Sequence, residues 1–319
     1  IWAKGKICST TVESNSDPHT GRTTAAPTSP IYEFVFNNDY ATDFDQHSSG
    51  DTIDTLETIA AGMREYYNEW TGQRRKTVRD DFDLTPAELE EYDKAAERFK
   101  SEVDRYEHGV DILKSESDVL EAFELMNEVN ARQHDFSGWR LFQLVFIVSN
   151  LSGIVSREYD RHETEYDERA DVLWSPTGGG KTEAYVGLVV FNLFFDRLRG
   201  KAQGVTAWIR FPLRLLSRQQ KTRFLTSLLY AEELRQASGE QGLDNTGEPF
   251  SLGFFAGSHD TPNAIGTDRD TFREMFKKDH EKLKRNCKVL EECPLCESPV
   301  TVEYDSTQNK VIHQCEGPQ

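Results

Sequence analysis

The sequence predicts an α/β protein whose central domain contains a parallel sheet, with a helical module before it and a partial zinc-ribbon-like insertion after it. Three observations support this: helical periodicity over residues 51–135, alternating strand and helix patterns over 136–284, and a cysteine-rich segment over 285–319. Because strands that alternate with helices form right-handed crossovers, this order is typical of a parallel sheet covered on both faces. Residues 1–50 are predicted to be loop-rich, although residues 31–36 could form a short strand.

The composition limits the classes of partner. The chain has 319 residues, 37% of them hydrophobic, a net charge of −18 and a pI near 4.9. A protein this acidic can bind a polyanion only through a local basic patch. No apolar run approaches the roughly 20 residues of a membrane span, and we expect a cytoplasmic protein without membrane contact. The sequence starts at Ile1 and stops within a cysteine-rich segment, so we expect a piece of a longer protein.

The helical module is predicted from apolar spacing and capping residues. Residues 52–70 carry apolar side chains at helical spacing. A second helix begins at Thr85, because Pro86 suits the first helical position and Glu88 completes a capping box. A third helix follows from about Ser117. The module is interpreted either as a packing appendage or as a clamp on a partner or on DNA.

The central domain is predicted from a change of pattern after residue 136. One helix in this part is apolar almost all round, which predicts that it is buried on most sides, and Gly200 ends it. The predicted elements are a helix at 141–151, a strand at 171–174, a helix at 182–198, a strand at 205–211, a helix from Pro212 to about Arg235, and a strand at 251–255.

A glycine-rich phosphate-binding loop joins the first of these strands to the apolar helix. Residues 175–182 read Ser-Pro-Thr-Gly-Gly-Gly-Lys-Thr and match the P-loop pattern, except that Ser175 replaces the first Gly. Consecutive glycines turn backbone N–H groups toward phosphate oxygens, and the following helix adds the positive end of its dipole. Lys181 would reach the β- and γ-phosphates of ATP, and Thr182 would ligate Mg²⁺. The strand-loop-helix context predicts a RecA-like P-loop domain.

Two residues upstream resemble the adenine-reading motif of superfamily 2 helicases, in which a Gln, often with an Arg nearby, contacts the base. Gln143 and Arg140 are the candidates, and the alternative is a Gln on the exposed face of an apolar helix. The predicted ATP contacts are Arg140, Gln143, Pro176, Thr177, Gly178, Gly179, Gly180, Lys181, Thr182 and Glu183, of which Lys181 and Thr182 are predicted to be catalytic.

Polar and basic residues at predicted strand ends indicate contacts to a DNA backbone, because ligand groups collect at the carboxyl ends of parallel strands. Thr261, which precedes a proline, also resembles a strand-contacting helicase motif. The alternatives are a solvated helix face and an ordinary turn. The predicted DNA contacts are Arg210, Arg214, Ser217, Gln219, Gln220, Gly257 and Thr261.

A Cys-x₂-Cys pair near the end of the chain predicts a structural zinc site. Cys293 and Cys296 form the pair, Cys315 follows, and a hairpin of residues 301–304 and 311–313 would bring them together. A closed zinc site needs four ligands. The fourth is expected to be a Cys beyond residue 319, with His313 and Cys287 as less favoured substitutes. The alternative is three unmetallated thiols, and the odd number of cysteines favours a reducing compartment.

Taken together, these segments resemble the superfamily 2 helicases of DISARM anti-phage defence systems. The resemblance rests on Ala-Phe-Glu-Leu-Met-Asn at 122–127, Trp-Arg-Leu-Phe-Gln-Leu at 139–144, residues 176–187 and residues 210–220, and it extends over about 90–319. It implies ATP-driven DNA binding or translocation, a second defence subunit that contains a domain of unknown function, and a DNA methyltransferase partner. Thr261 and the cysteine pair add to it.

The acidic pair and the second RecA-like domain of such helicases are expected outside this chain. We therefore expect the chain alone to bind ATP weakly and not to hydrolyse it. Two alternatives remain open at this point. One is a P-loop ATPase that acts as a switch or assembly factor without nucleic acid, and the other is a non-enzymatic scaffold that recruits partners.

Overall fold

The computed structural model describes residues 10–12, 21–23, 39–82, 84–162, 164, 169–173, 179–211, 214–237, 243, 247–253, 288, 290–305 and 310–317. The chain divides into two compact units, Ile1–Asn37 and Asn38–Gln319. In the first unit, strands β1 (Thr10–Val12) and β2 (Gly21–Thr23) pair antiparallel. They lie in the part predicted to be loop-rich, and the strand predicted at 31–36 lies outside the described residues.

The second unit is mostly helical. Over the described residues, no helix combines the length and the apolar character that crossing a bilayer requires. The helices are α1 (Phe44–His47), α2 (Thr52–Thr71), α3 (Gln73–Phe82), α4 (Pro86–Ser115), α5 (Ser117–Gln133), α6 (Leu141–Val155), α7 (Lys181–Leu198) and α8 (Arg214–Ala237), and a 3-10 turn covers Asp160–His162.

The helices predicted from periodicity and capping are confirmed. The backbone N–H of Glu88 donates to Thr85 Oγ1 at 3.3 Å, and the Thr85 N–H donates to Glu88 Oε2 at 2.8 Å, which is the predicted capping box of α4. Gly200 follows α7 with a φ of +88°, as expected of a helix-ending glycine. Helices α1 and α3 were not predicted, because α1 is a single turn and α3 has no buried residue.

The core lies between α5, α6 and α7. Helix α5 packs against α1, α7 and α8, while α6 packs against α4 and α7. Trp139 sits where several of these helices meet. Its indole N–H donates to Asn127 Oδ1 at 2.7 Å, and its ring meets Phe44 edge-on at 5.1 Å between centroids. Both Trp139 and Asn127 are buried, so this hydrogen bond satisfies two polar groups that have no access to water.

The predicted parallel sheet is wrong for the part of the chain that the structure describes. The strands found there pair only antiparallel, β1 with β2 and β3 (Val300–Asp305) with β4 (Lys310–Cys315). Residues 171–173, 205–211 and 251–253 have no strand structure. A strand inside a parallel sheet is buried on both faces, whereas the side chains of Val172, Val205 and Trp208 are 86%, 72% and 79% exposed.

Helices occupy the position that the sheet was predicted to take. Helix α7 contacts α5, α6 and α8, and Phe191, Phe194 and Phe195 on it are almost completely buried. A helix that is apolar all round must be buried, but its own sequence does not specify whether a sheet or other helices cover it. The prediction of a RecA-like domain was wrong because it assumed that a sheet covers this helix.

The hairpin of the cysteine-rich segment is confirmed. Strands β3 and β4 pair antiparallel, with Val300 opposite Cys315 and Asp305 opposite Lys310. The pairing brings the end of β4 beside the residues that precede β3, which include Cys293 and Cys296.

A close approach between α4 and α6 depends on Gly109. A Cβ at this position would lie 2.1 Å from the Val148 backbone oxygen, so we expect Gly109→Ala to force the helices apart and to lower the free energy of unfolding by about 1–3 kcal/mol. Gly153→Ala on α6 is the control, because a Cβ there meets nothing within 4 Å and Ala favours the helix by up to about 1 kcal/mol. Urea unfolding measures both, and equal effects of the two substitutions would contradict this packing.

Candidate functional site

The described end of the glycine-rich loop leads directly into α7. Gly180 precedes the helix with a φ of +83°, in the left-handed region, where residues with a Cβ are strained. Lys181 and Thr182 are the first two residues of the 18-residue helix. The first N–H groups of a helix have no partner inside the helix, and the helix dipole makes this end attractive to anions. The free N–H groups and the dipole therefore give the N-terminus of α7 the properties of an anion site.

Side chains from the start of α6 hold the loop backbone. Arg140 Nη1 donates to the Gly179 carbonyl and Gln143 Nε2 donates to the Gly180 carbonyl, both at 2.6 Å. Gln143 Oε1 accepts from the backbone N–H of Arg140 at 2.7 Å. In a trans peptide the N–H points opposite to the carbonyl. The N–H groups of Gly180 and Lys181 therefore point away from the two side chains that hold the loop.

The position of Gly180 leaves no room for a larger residue. A Cβ there would lie 2.7 Å from Gln143 Nε2 and 3.4 Å from Arg140 Nη1. Gln143 is buried, with 3% of its surface exposed. Arg140 and Gln143, the two candidates for adenine contact, thus lie against the glycine-rich loop itself.

A cleft of about 950 Å³ opens beside the loop, at the upper end of the volumes of small-molecule sites. Lys181 and Thr182 line it together with the two side chains that hold the loop. Its other lining residues are Phe136, Gly138, Leu173, Gly179, Gly180, Glu183, Tyr185, Phe211, Gln220 and Arg223.

Glu183 and Tyr185, further along the first turns of α7, connect the cleft to its surroundings. Tyr185 Oη donates to Thr182 Oγ1 at 3.1 Å. Glu183 Oε1 accepts from Arg223 Nη1 on α8 at 3.2 Å, while Glu183 Oε2 is buried without a hydrogen-bond partner among the described residues. This contact places Arg223 at the cleft, which it also lines.

Aromatic residues of the cleft were missed by sequence reasoning. Phe136 is 48% exposed, and its ring stacks on His134 with centroids 4.3 Å apart and planes 21° apart. Burial lowers the pKa of His134, which favours its neutral form near neutral pH. Tyr185 and Phe211 also line the cleft. No pattern in the sequence singled these rings out as cleft residues, because they come together only through the packing of α5, α7 and α8.

Only part of the predicted DNA-contacting set lies in the described part of the chain. Gln220 lines the cleft beside the glycine-rich loop, and Arg210 is exposed in the non-helical segment before α8. Arg214, Ser217 and Gln219 belong to the first turns of α8. Two further predicted DNA contacts, Gly257 and Thr261, lie outside the described residues. The same is true of four residues of the phosphate-binding loop, Ser175, Pro176, Thr177 and Gly178.

The three predicted metal-binding cysteines lie together. The sulfur atoms of Cys293, Cys296 and Cys315 are within 4.8 Å of one another, and those of Cys296 and Cys315 are 3.4 Å apart. Cys293 is buried, whereas the other two are exposed. The Glu297 N–H donates to the Cys293 carbonyl at 2.9 Å, and Glu297 adopts a φ of +57°, so the pair sits on a tight turn. Three converging thiols can bind a metal such as zinc.

Neighbouring donors favour the metal-binding form of one thiol. Hydrogen bonds from the side chain and backbone of Ser298 lower the pKa of Cys296 to about 7, and the thiolate is the form that binds metals. The Gly317 N–H donates to the sulfur of Cys315 at 3.3 Å. Within the described residues the cluster consists of three cysteines and does not include His313, while Cys287 lies outside them.

Zinc content tests the cysteine cluster. We expect the purified chain to carry about one zinc ion, because three thiolates can hold zinc with water in the fourth position of the tetrahedron, and we expect Cys296→Ser to lose most of it. Cys8→Ser is the matched control, since Cys8 is far from the cluster in the sequence. Elemental analysis of the dialysed proteins gives the zinc-to-protein ratio. Equal ratios in both variants would show that the three thiols do not hold the metal.

No protein family profile matches the chain. The DISARM protein DrmA of Bacillus paralicheniformis is 37% identical to it over 170 residues, which covers 50% of this chain and 14% of the relative. The matched length is shorter than the span from about 90 to 319 that the motifs predict. Half of this chain is therefore similar to DrmA, which confirms the resemblance to DrmA-type DISARM proteins that its motifs indicate.

Proposed function

We propose that this chain binds the phosphates of ATP at residues 179–182. The observation that carries the proposal is the glycine pair whose carbonyls are held by Arg140 and Gln143 directly before the N-terminus of α7. Fixed N–H groups, a lysine and a hydroxyl at a helix start match the chemistry of a triphosphate. Pro176, Thr177 and Gly178 complete the loop in this proposal.

Roles for individual side chains follow from their positions. Lys181 would neutralise charge on the β- and γ-phosphates, Thr182 would offer its hydroxyl to Mg²⁺, and that ion would supply polarisation of the phosphate chain. Gln143 has both ends of its amide engaged by protein groups. Contact of Gln143 with adenine would therefore require one of these hydrogen bonds to be shared or exchanged, and Arg140 acts by holding Gly179. Glu183 acts through Arg223, which borders the same cleft.

We further propose that this chain is part of an ATP-dependent DNA helicase or translocase that acts in anti-phage defence. The support is the similarity to a DISARM protein, together with basic residues that precede and begin α8. Arg210, Arg214, Ser217, Gln219 and Gln220 would contact DNA phosphates, as would Gly257 and Thr261. By the same resemblance, a second defence subunit and a DNA methyltransferase are proposed partners, and the cytoplasm is the compartment that holds phage DNA.

A second candidate function is a P-loop ATPase that works as a switch or assembly factor. It is favoured by the net charge of −18 and by the position of Gln220 at the nucleotide cleft. It shares the ATP site with the first candidate and differs only in having no DNA contact. Salt-dependent DNA binding therefore separates the two.

Binding of MgATP to the purified chain tests the phosphate site. We expect Lys181→Ala to weaken binding by about 10- to 100-fold, because a hydrogen bond to a charged group contributes about 1.5–3 kcal/mol. Lys94→Ala on α4 is the control, since Lys94 is half-exposed and pairs with Glu90 and Glu91 on its own helix. Titration calorimetry gives both dissociation constants. An unchanged constant for Lys181→Ala would remove the basis of this proposal.

Filter binding to DNA at two salt concentrations tests the nucleic-acid contact. Arg210→Ala and Arg214→Ala should each weaken binding and reduce the salt slope by about one, because each removes one phosphate contact. Arg98→Ala is the control, because Arg98 is exposed on α4, away from these residues in the sequence. If the unmodified chain shows no salt-sensitive DNA binding, the ATPase switch becomes the better candidate.

A further inference from the structure

An ion pair ties the segment that enters the phosphate loop to the helical module. Arg105 Nη1 donates to Asp171 Oδ1 at 2.6 Å, and Arg105 Nη2 donates to Asp171 Oδ2 at 2.8 Å. Arg105 lies on α4 with its side chain 7% exposed, and the Asp171 side chain is 28% exposed. The two-point geometry fixes the direction of the carboxylate as well as its distance.

The ion pair of Arg105 and Asp171 is more buried than the surface ion pairs of the same helix, so its contribution to the structure differs from theirs. Exposed pairs contribute little, whereas a buried guanidinium loses its hydration and needs well-placed acceptors. Arg105 also donates to Asn150 Oδ1 on α6 at 3.3 Å. Beside Asp171, Val172 is 86% exposed. The ion pair thus attaches this segment to α4, although the side chain next to Asp171 is exposed.

The other side of the loop is attached to the same helix pair. Arg140 and Gln143 at the start of α6 hold the carbonyls of Gly179 and Gly180, and α6 packs on α4. Asn150 of α6 contacts Arg105, so the two attachments share a common support. Asp171 and Gly179 are therefore each held by a side chain of the packed α4 and α6 pair.

We propose that Arg105 is a positioning residue for nucleotide binding. Together with Asp171 it fixes the entrance of the phosphate loop, so that the packing of α4 on α6 sets the conformation that meets the phosphates. This inference rests on the proposed ATP site. A loop held at both ends has fewer conformations to lose when a ligand binds, and such pre-organisation increases affinity. The helical module then contributes to binding in addition to packing.

MgATP titrations of four variants test this role. Arg105→Met and Asp171→Asn should each weaken binding about fivefold, in the range expected for residues that act without touching the ligand. The double variant should be no weaker than the worse single variant, because both changes break one contact. Arg64→Met is the matched control. It removes a guanidinium that joins α2 to α4 by pairing with Asp104 at 3.0 Å and with Glu107, and MgATP affinity should stay the same.

Hydrogen exchange of the amides in residues 171–181, without nucleotide, provides a second readout. Arg105→Met and Asp171→Asn should speed exchange there, while urea unfolding shows whether the rest of the fold is retained. If Arg105→Met does not fold, the result for Asp171→Asn alone tests the role of the ion pair. This variant should fold, because the Asn side chain has the same size as that of Asp.

The two proposals fail in different ways. If the unmodified chain binds no MgATP, the proposed ATP site fails. If it binds and both variants bind equally well, the role of Arg105 is overturned. Unchanged exchange in residues 171–181 of both folded variants would overturn it as well, whatever the nucleotide result.

Discussion

The candidate site depends on two short hydrogen bonds from α6 to the backbone carbonyls of Gly179 and Gly180. A glycine run has many accessible conformations, so it becomes a defined phosphate cradle only when neighbouring groups restrict it. Arg140 and Gln143 do this from the first turn of a buried helix, and Gln143 keeps its own orientation by accepting from the Arg140 backbone. The lysine, the hydroxyl and the helix dipole then act from positions that the fold has already set.

Local signals in the sequence predicted much of the fold. Thr85 and Glu88 form the expected capping box, because capping depends only on residues within one turn. The cysteine hairpin was predicted for the same reason, since its pairing joins residues close in sequence. The parallel sheet was not found, because Val205 and Trp208 read as strand residues only if neighbouring strands cover them, and both are exposed.

The candidate site was predicted in part, and the limits have the same physical origin. Lys181, Thr182, Arg140 and Gln143 belong to recognisable patterns, and the structure brings them to one cleft. The positions of Phe136, Arg223 and Arg105 around the cleft and the loop depend on which helices become neighbours, and no local pattern specifies that. The strongly negative net charge also gave no sign that several cationic side chains converge around the loop.

The junction at Trp139 restricts how the molecule can respond to a ligand. Its indole is hydrogen-bonded to Asn127 on α5 and buried beside Phe44, and a Cβ on Gly187 of α7 would lie 2.8 Å from the same ring. Helix α7 therefore cannot slide or rotate past α5 without expelling a large aromatic group from a close-packed interior. Any rearrangement at the cleft must move these helices as a rigid body, or be confined to the segments around the cleft rim.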